Sequence, residues 1–342
     1  MTDAIENRKR ASTIIDVAEM AGVAVGTVSR FLNGESVRAA NRNQIERAIS
    51  DLNYRRNLTA AAMKTDVTHI VGFMAPALSE FHAGLLDRFT RHMRRYGRAV
   101  LTFLHDEQPG SIREGLEFFV SHRVDAVVMQ GLAERRSDIL DYVDKGLRIV
   151  FFNNDVDGVA ADRVMVDNRD ASRRAVGHLL ELGHRRIGIV VGKMNESSAV
   201  ERFQGYRDAL EAYGLAEDSD MIGCGEWDES GGYGVVAKFL ALDSPPTAIF
   251  SCNYNMSLGA LSCLHQNGVR LPDDMSLVSF DDVPALRLHQ PGITSVAQPI
   301  DKIAEGIATV IETRMQDPEQ PGKRLILLDC DIILRGSAQR LR

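Results

Sequence analysis

Val25, Gly26, Thr27, Ser29 and Arg30 place small groups, two hydroxyls and one guanidinium in a six-residue stretch. Projected from a helix, such side chains suit the major groove of DNA. Arg offers a planar fork to O6 and N7 of a guanine, Thr and Ser hold phosphates, and Val meets a base methyl or edge. Two short helical patterns must position them. Ile14, Val17, Ala18 and Ala21 recur at helical spacing and make one apolar face; Val28, Phe31 and Leu32 make another. They meet at Gly22, too close for anything but a sharp turn. Tight packing there needs small contact residues, which Ala18 and Ala21 supply. The pattern predicts a helix-turn-helix whose second helix is the reader; a helical hairpin within a larger helical domain is the competing reading. Thr13 and Asp16 form a capping-box pattern with Asp in place of the usual Glu. A third helix is expected from about Asn41 to Leu52, with Ile45, Ala48, Ile49 and Leu52 on its buried face.

Asp16-Val17-Ala18, Ala21-Gly22-Val23, Thr27-Val28-Ser29-Arg30 and Leu32-Asn33-Gly34 resemble the head of the LacI/GalR repressor family. The resemblance continues along the whole chain. It implies a DNA-binding domain over 1–57, a hinge over 58–68 and an effector-binding and dimerisation domain over 69–342. It assigns DNA contacts to Thr13, Val25, Gly26, Thr27, Ser29, Arg30, Asn33 and Arg38 in the head, and to Ala60, Met63 and Lys64 in the hinge. Met63 stands where the family usually carries a Leu that wedges between base pairs in the minor groove. Ala24 stands where the family usually has a Ser or Thr helix cap, and Gly26 lies in the next turn. The implied partners are a double-stranded, pseudo-palindromic operator, a small-molecule effector and a second copy of the chain. No heptad tail follows the last expected strand, so a homodimer is expected rather than a tetramer.

The chain's 342 residues call for two or three cores, and its formal charge is -7. That balance alone argues against nucleic acid, but residues 1–64 hold ten Lys/Arg against seven Asp/Glu, leaving +3 there and -10 on the rest. A basic head on an acidic body fits a protein that meets phosphate at one end only. No apolar run reaches about 18 residues, so no membrane span is expected. The N-terminus lacks a secretory pattern. Cys224, Cys252, Cys263 and Cys330 show no metal-ligand spacing. The expectation is a cytoplasmic, nucleoid-associated protein with no cofactor, no metal and no membrane partner.

From His69 onward, apolar runs alternate with amphipathic stretches, which predicts parallel sheets with helices on both faces. The first series has strands over 69–74, 99–104, 126–129 and 147–152. The second has strands over 163–166, 186–191, 248–251 and 276–280, and the chain closes with a helix over 300–315 and strands near 324–330 and 332–334. The fold class expected is an all-α helix-turn-helix head plus a type I periplasmic-binding-protein-like α/β core of two subdomains. Their expected extents are about 69–154 with 297–322, and about 162–292 with 328–342. The family resemblance places three crossovers near 154–163, 291–298 and 320–334.

Open parallel sheets bind ligands beyond the carboxyl ends of their strands. Phe81 and His82 follow the first strand, Asn153 follows Phe151-Phe152, Asn253 ends the run 249–252, and Asp281 follows Ser279-Phe280. The resemblance adds Arg202, placed three residues before Gly205 as a ligand-gripping Arg. It also adds Trp227, the only Trp, as a stacking aromatic, and Gln298 on a crossover. Arg pairs with vicinal hydroxyls or a carboxylate, Asp and Asn pair with hydroxyls, and an aromatic stacks on a sugar's apolar face. A sugar or sugar-acid effector is therefore expected, and His82, read as a titratable group on one wall, leans toward an acid or phosphate. No His-Glu-x-x-His, phosphate-loop lysine or nucleophile elbow appears, and Glu226 and Asp228 beside Trp227 read as loop acids, so no enzyme is expected. The alternatives are a solute-binding protein of a transport system, a nucleoside- or purine-responsive regulator of the same fold, and a sugar-processing enzyme.

Overall fold

The computed structural model describes residues 12–32, 34–55, 67–106, 108, 110–317 and 322–341. The expected DNA contacts Asn33, Ala60, Met63 and Lys64 lie outside the described residues. The chain divides into two compact units, residues 1–68 and 69–342.

The first unit holds α1 (Ile14–Ala21), α2 (Val25–Leu32) and α3 (Ala39–Asp51). The Asp16 carboxylate accepts from Thr13 N at 2.6 Å, and Asp16 N donates to Thr13 Oγ1 at 3.3 Å, so the capping box forms with Asp as its acid. Gly22 ends α1 in the left-handed region (φ 64°), which a side chain would strain. Val17, Ala18, Ala21, Val28, Ile45 and Ala48 are buried together, with Phe31, Leu32, Ile49 and Leu52 packed against them. The apolar faces expected from spacing are thus the ones that meet.

The second unit carries two six-stranded sheets. Its elements are β1 (Ile70–Ala75), α4 (Glu80–Arg95), β2 (Ala99–Leu104), α5 (Ser111–Ser121), β3 (Ala126–Gln130), α6 (Arg136–Asp144), β4 (Ile149–Phe152) and β5 (Asp162–Val166). There follow α7 (Asn168–Glu181), β6 (Ile187–Val191), α8 (Ser197–Ala212), β7 (Ile222–Cys224), α9 (Glu229–Leu240), β8 (Ala248–Ser251), α10 (Tyr254–Gln266) and β9 (Ser276–Phe280). The chain ends with α11 (Pro284–Leu288), β10 (Thr294–Ala297), α12 (Ile300–Gln316), β11 (Leu325–Leu328) and β12 (Asp331–Ile333). Strand order is β11-β5-β4-β3-β1-β2 in the first lobe and β12-β10-β9-β8-β6-β7 in the second. Pairing is parallel except between β10 and β12. Strands buried on both faces explain the near-continuous apolar runs.

One expected boundary is wrong. The strand expected over 163–166 falls in the second subdomain by sequence, but β5 pairs in parallel with β4 and β11 in the first sheet. The loop 153–161 returns the chain to the same sheet without a helix, and so reads in sequence as a crossover. Asp162 fixes β5 there: its carboxylate takes both Nε and Nη2 of Arg314 on α12 at 2.8 Å, and accepts from Arg324 N at 2.8 Å. The chain therefore changes lobes after β5, between β10 and α12, and between β11 and β12.

The segment 222–240 was also missed. Gly231, Gly232 and Gly234 argue against a helix by propensity. Two of them answer a packing demand. A Cβ on Gly231 would lie 2.2 Å from Gly225 O, and one on Gly232 2.2 Å from Met256 O. Opposite them, a Cβ on Gly259 would lie 1.9 Å from Glu229 O, so α9 and α10 approach backbone to backbone.

Candidate functional site

In the head, the candidate reading face is exposed. Val25, Gly26 and Arg30 are open to solvent, Thr27 and Ser29 are half-buried, and Arg38 is exposed at the start of α3. A Cβ on Gly26 would meet nothing within 4 Å, so no packing contact in the head requires glycine there. Ala24, which precedes α2, has no side-chain acceptor; Thr27 N and Val28 N are taken by its carbonyl at 2.8 and 3.3 Å. Thr13 Oγ1 donates to the Asp16 carboxylate at 2.8 Å, so this hydroxyl serves the helix cap.

In the second unit, a cavity of about 660 Å³ opens between the lobes at the carboxyl ends of both sheets. All eight expected ligand residues, Phe81, His82, Asn153, Arg202, Trp227, Asn253, Asp281 and Gln298, line it. Asn153 (φ 62°), Trp227 (φ 68°) and Asp281 (φ 75°) lie just past strands in the left-handed region, which Asn and Asp tolerate and a Trp rarely adopts.

Arg202 sits at the floor, 3% exposed, on α8. Its Nε donates to Asn168 Oδ1 at 2.8 Å and its Nη1 to Cys252 O at 2.5 Å, while the guanidinium lies 3.6 Å from the Phe280 ring centre. Burial lowers its pKa, and the Asp281 carboxylate opposes that shift. Asp281 accepts from Gln298 Nε2 at 2.7 Å, joining strand β9 to the crossover that leads into α12.

Asn253 is positioned differently from the expectation of a ligand contact. Its Oδ1 accepts from Met256 N at 2.8 Å, capping α10, and its Nδ2 donates to Trp227 O at 3.0 Å. It shapes the wall by holding Trp227. Gly192, at the end of β6, makes room for the indole: a Cβ there would lie 2.1 Å from the ring.

His82 does not supply a charge. It is 9% exposed, Ser79 Oγ lies 2.7 Å from its Nδ1, and burial pulls its pKa down to about 4. It is neutral at physiological pH, which removes the argument for an acidic or phosphorylated effector. The rest of the lining points the same way. Asp106, Glu134, Glu196, Glu226, Asp228 and Asp281 face Arg135, Lys193 and Arg202, a balance of six carboxylates against three cations.

Gln130, Lys193 and Glu196 line the cavity and were missed. Gln130 ends β3, so the strand-end rule that found Asn153 could have found it. Glu196 precedes α8 and accepts from Asn154 Nδ2 at 2.6 Å, a bond across the lobes. Asn154 Oδ1 in turn accepts from Ser198 N at 3.0 Å, satisfying an amide at the start of the helix that carries Arg202. Nothing local in the sequence marks that pairing. Among the described residues no group of three or more His, Cys, Asp or Glu is arranged to hold a metal, and no helix is long and apolar enough to cross a membrane.

Comparisons with known proteins agree with this geometry. Residues 13–57 match the family model described as bacterial regulatory proteins, lacI family, and residues 176–338 match a periplasmic binding protein-like domain. The chain is similar to the transcriptional regulator GalS of Salmonella typhimurium, 32% identical over 87% of this chain and 88% of that one. It is also similar to the transcriptional repressor PurR of Haemophilus influenzae, 28% identical over 96% and 99%. A solved complex of the transcriptional regulator CelR with cellobiose superposes with a TM-score of 0.73, at 27% identity over 95% of this chain and 99% of that one. With a helix-turn-helix head on a two-lobed α/β core, the chain belongs to the LacI/GalR family of DNA-binding transcriptional regulators and is not an enzyme.

Proposed function

We propose that the chain is a repressor that binds a pseudo-palindromic operator as a homodimer and releases or tightens on it when a small carbohydrate fills the cleft. The observation that carries the effector reading is the convergence of Arg202, Asp281, Trp227 and Phe81 on one interlobe cavity. Guanidinium charge, carboxylate and aromatic rings together match the hydroxyls and the apolar face of a sugar ring. The excess of carboxylates in the lining disfavours a sugar acid. The structural relative that holds cellobiose supports a carbohydrate of this size.

On DNA, Arg30 is the reader of a guanine, Val25 meets a base edge, and Thr27, Ser29 and Arg38 hold phosphates. Thr13, whose hydroxyl closes the helix cap, contributes through its position at the start of α1. The hinge contacts from Ala60, Met63 and Lys64, and Asn33 in the head, complete the interface. Selection of bound duplexes from a random pool tests this. The wild type should enrich a two-fold-related site, and Arg30→Ala should lose preference at one position per half-site, at about 1–3 kcal/mol. Enrichment of the same bases by both proteins would overturn the assignment.

A further inference from the structure

We infer that the effector carries a basic amine, an amino sugar in preference to the parent hexose, with its ammonium group held between Glu134 and Glu196. This rests on the carbohydrate reading above and specifies it. The two carboxylates come from opposite lobes: Glu134 from the turn after β3, Glu196 from the residue before α8. Both line the cavity. Each is held across the lobes by an amide. Asn154 Nδ2 of the first lobe donates to Glu196 Oε2 at 2.6 Å, and Asn195 Nδ2 of the second lobe donates to the Glu134 carboxylate. The cross-lobe bonds therefore fix two like charges on the same cavity.

Burial raises the pKa of Glu196; the Asn154 amide, the Lys193 charge and the Trp227 indole oppose the rise, and the Glu134 charge adds the smallest part to it. Glu226 and Asp228, on either side of Trp227, put two more carboxylates on the same cavity. Lys193 and Arg135 stand against these four. An ammonium offsets the excess of carboxylates on this cavity, a neutral hexose leaves it in place, and a uronate adds to it. His82 Nε2 on one lobe and Trp227 Nε1 on the other make no full hydrogen bond, with Gln130 beside the imidazole and Glu196 beside the indole. An organic cation is the fit, since no metal-holding cluster occurs among the described residues.

The test is calorimetric titration of the full-length protein with glucosamine, galactosamine and mannosamine, alongside glucose, galactose, mannose, glucuronate and galacturonate, at about pH 6.5, where a sugar amine is protonated. One hexosamine is expected to bind about tenfold or more tighter than its parent hexose. Glu134→Gln and Glu196→Gln should each erase that preference, read as the ratio of hexosamine to hexose affinity within the same variant. Hexosamine and hexose binding equally, a uronate binding tightest, or a preference that survives in both variants would overturn the amine assignment and leave the carbohydrate reading standing. Failure of every one of these sugars, and of cellobiose titrated beside them, to bind would overturn both. Glu134 is exposed, so its variant reports even if Glu196→Gln fails to fold.

Discussion

Replacing Asn253 separates a wall-building role from ligand contact. Its side chain makes two bonds: Oδ1 accepts from Met256 N at 2.8 Å, and Nδ2 donates to Trp227 O at 3.0 Å. Asn253→Ala removes both. Loss of the helix cap costs about 1 kcal/mol. Loss of the second bond costs about 0.5–1 kcal/mol, at the low end because Asn255 Nδ2 also reaches Trp227 O at 3.3 Å. The expected destabilisation is therefore about 1.5–2 kcal/mol. Asn253→Ser restores an acceptor suited to the cap but does not replace the amide donor, so it should recover about 1 kcal/mol of that loss. Trp227 is the only tryptophan, so urea unfolding followed by its fluorescence reads stability and the cleft wall together. In both variants the native emission should shift, because the loop that holds the indole loses one of its two ties. The reasoning is refuted if Ser is no better than Ala, or if Ala leaves the unfolding midpoint and the native emission unchanged.

Gly26→Ala should stabilise α2 by up to about 0.5–1 kcal/mol, since its Cβ enters open space, yet weaken operator binding if the helix backbone approaches the duplex. Hydrogen exchange of the α2 amides and duplex titration read the two effects, and equal operator affinity would remove Gly26 from the interface. The burden of His82 predicts a pH dependence. Its folded pKa, about 4, lies below the unfolded value of 6.5. The unfolded chain thus binds the extra proton in that window, and stability falls as pH drops from about 6.5 toward 4, by up to ~3 kcal/mol for a shift of this size. His82→Phe should flatten that slope in urea unfolding measured across the window; an unchanged slope would assign it to other groups. Gly259→Ala should cost about 1–3 kcal/mol or more, because its Cβ would lie 1.9 Å from Glu229 O between α9 and α10, and a neutral result in thermal unfolding would contradict that packing.

The head was legible because its determinants are local. Helical spacing of Val17, Ala18 and Ala21, and the glycine between the helices, need no distant partner to be read. The cleft was legible in its first layer for a different reason: strand ends in parallel sheets point to one place, so Asn153, Asn253 and Asp281 could be found singly and still converge. What failed depends on contacts remote in sequence. The strand over 162–166 belongs to the first sheet through Arg314 and Arg324, some 150 residues away in the chain. The helix over 229–240 hid behind glycines whose purpose is a neighbour, α10. The neutrality of His82 comes from burial, which no spacing pattern records. Glu134 and Glu196 lie 62 positions apart, and amides from the opposite lobes hold them on one cavity.

The central claim is that occupancy of the cleft changes the grip of the head on DNA. The direct measurement is titration of the full-length protein against the duplex recovered by selection, with and without a saturating carbohydrate found by calorimetry. Operator affinity should change about 5- to 150-fold, corresponding to a coupling of ~1–3 kcal/mol, and Arg202→Ala should abolish the change while leaving affinity for the duplex alone intact. An operator affinity that stays the same with the cleft filled would contradict the account.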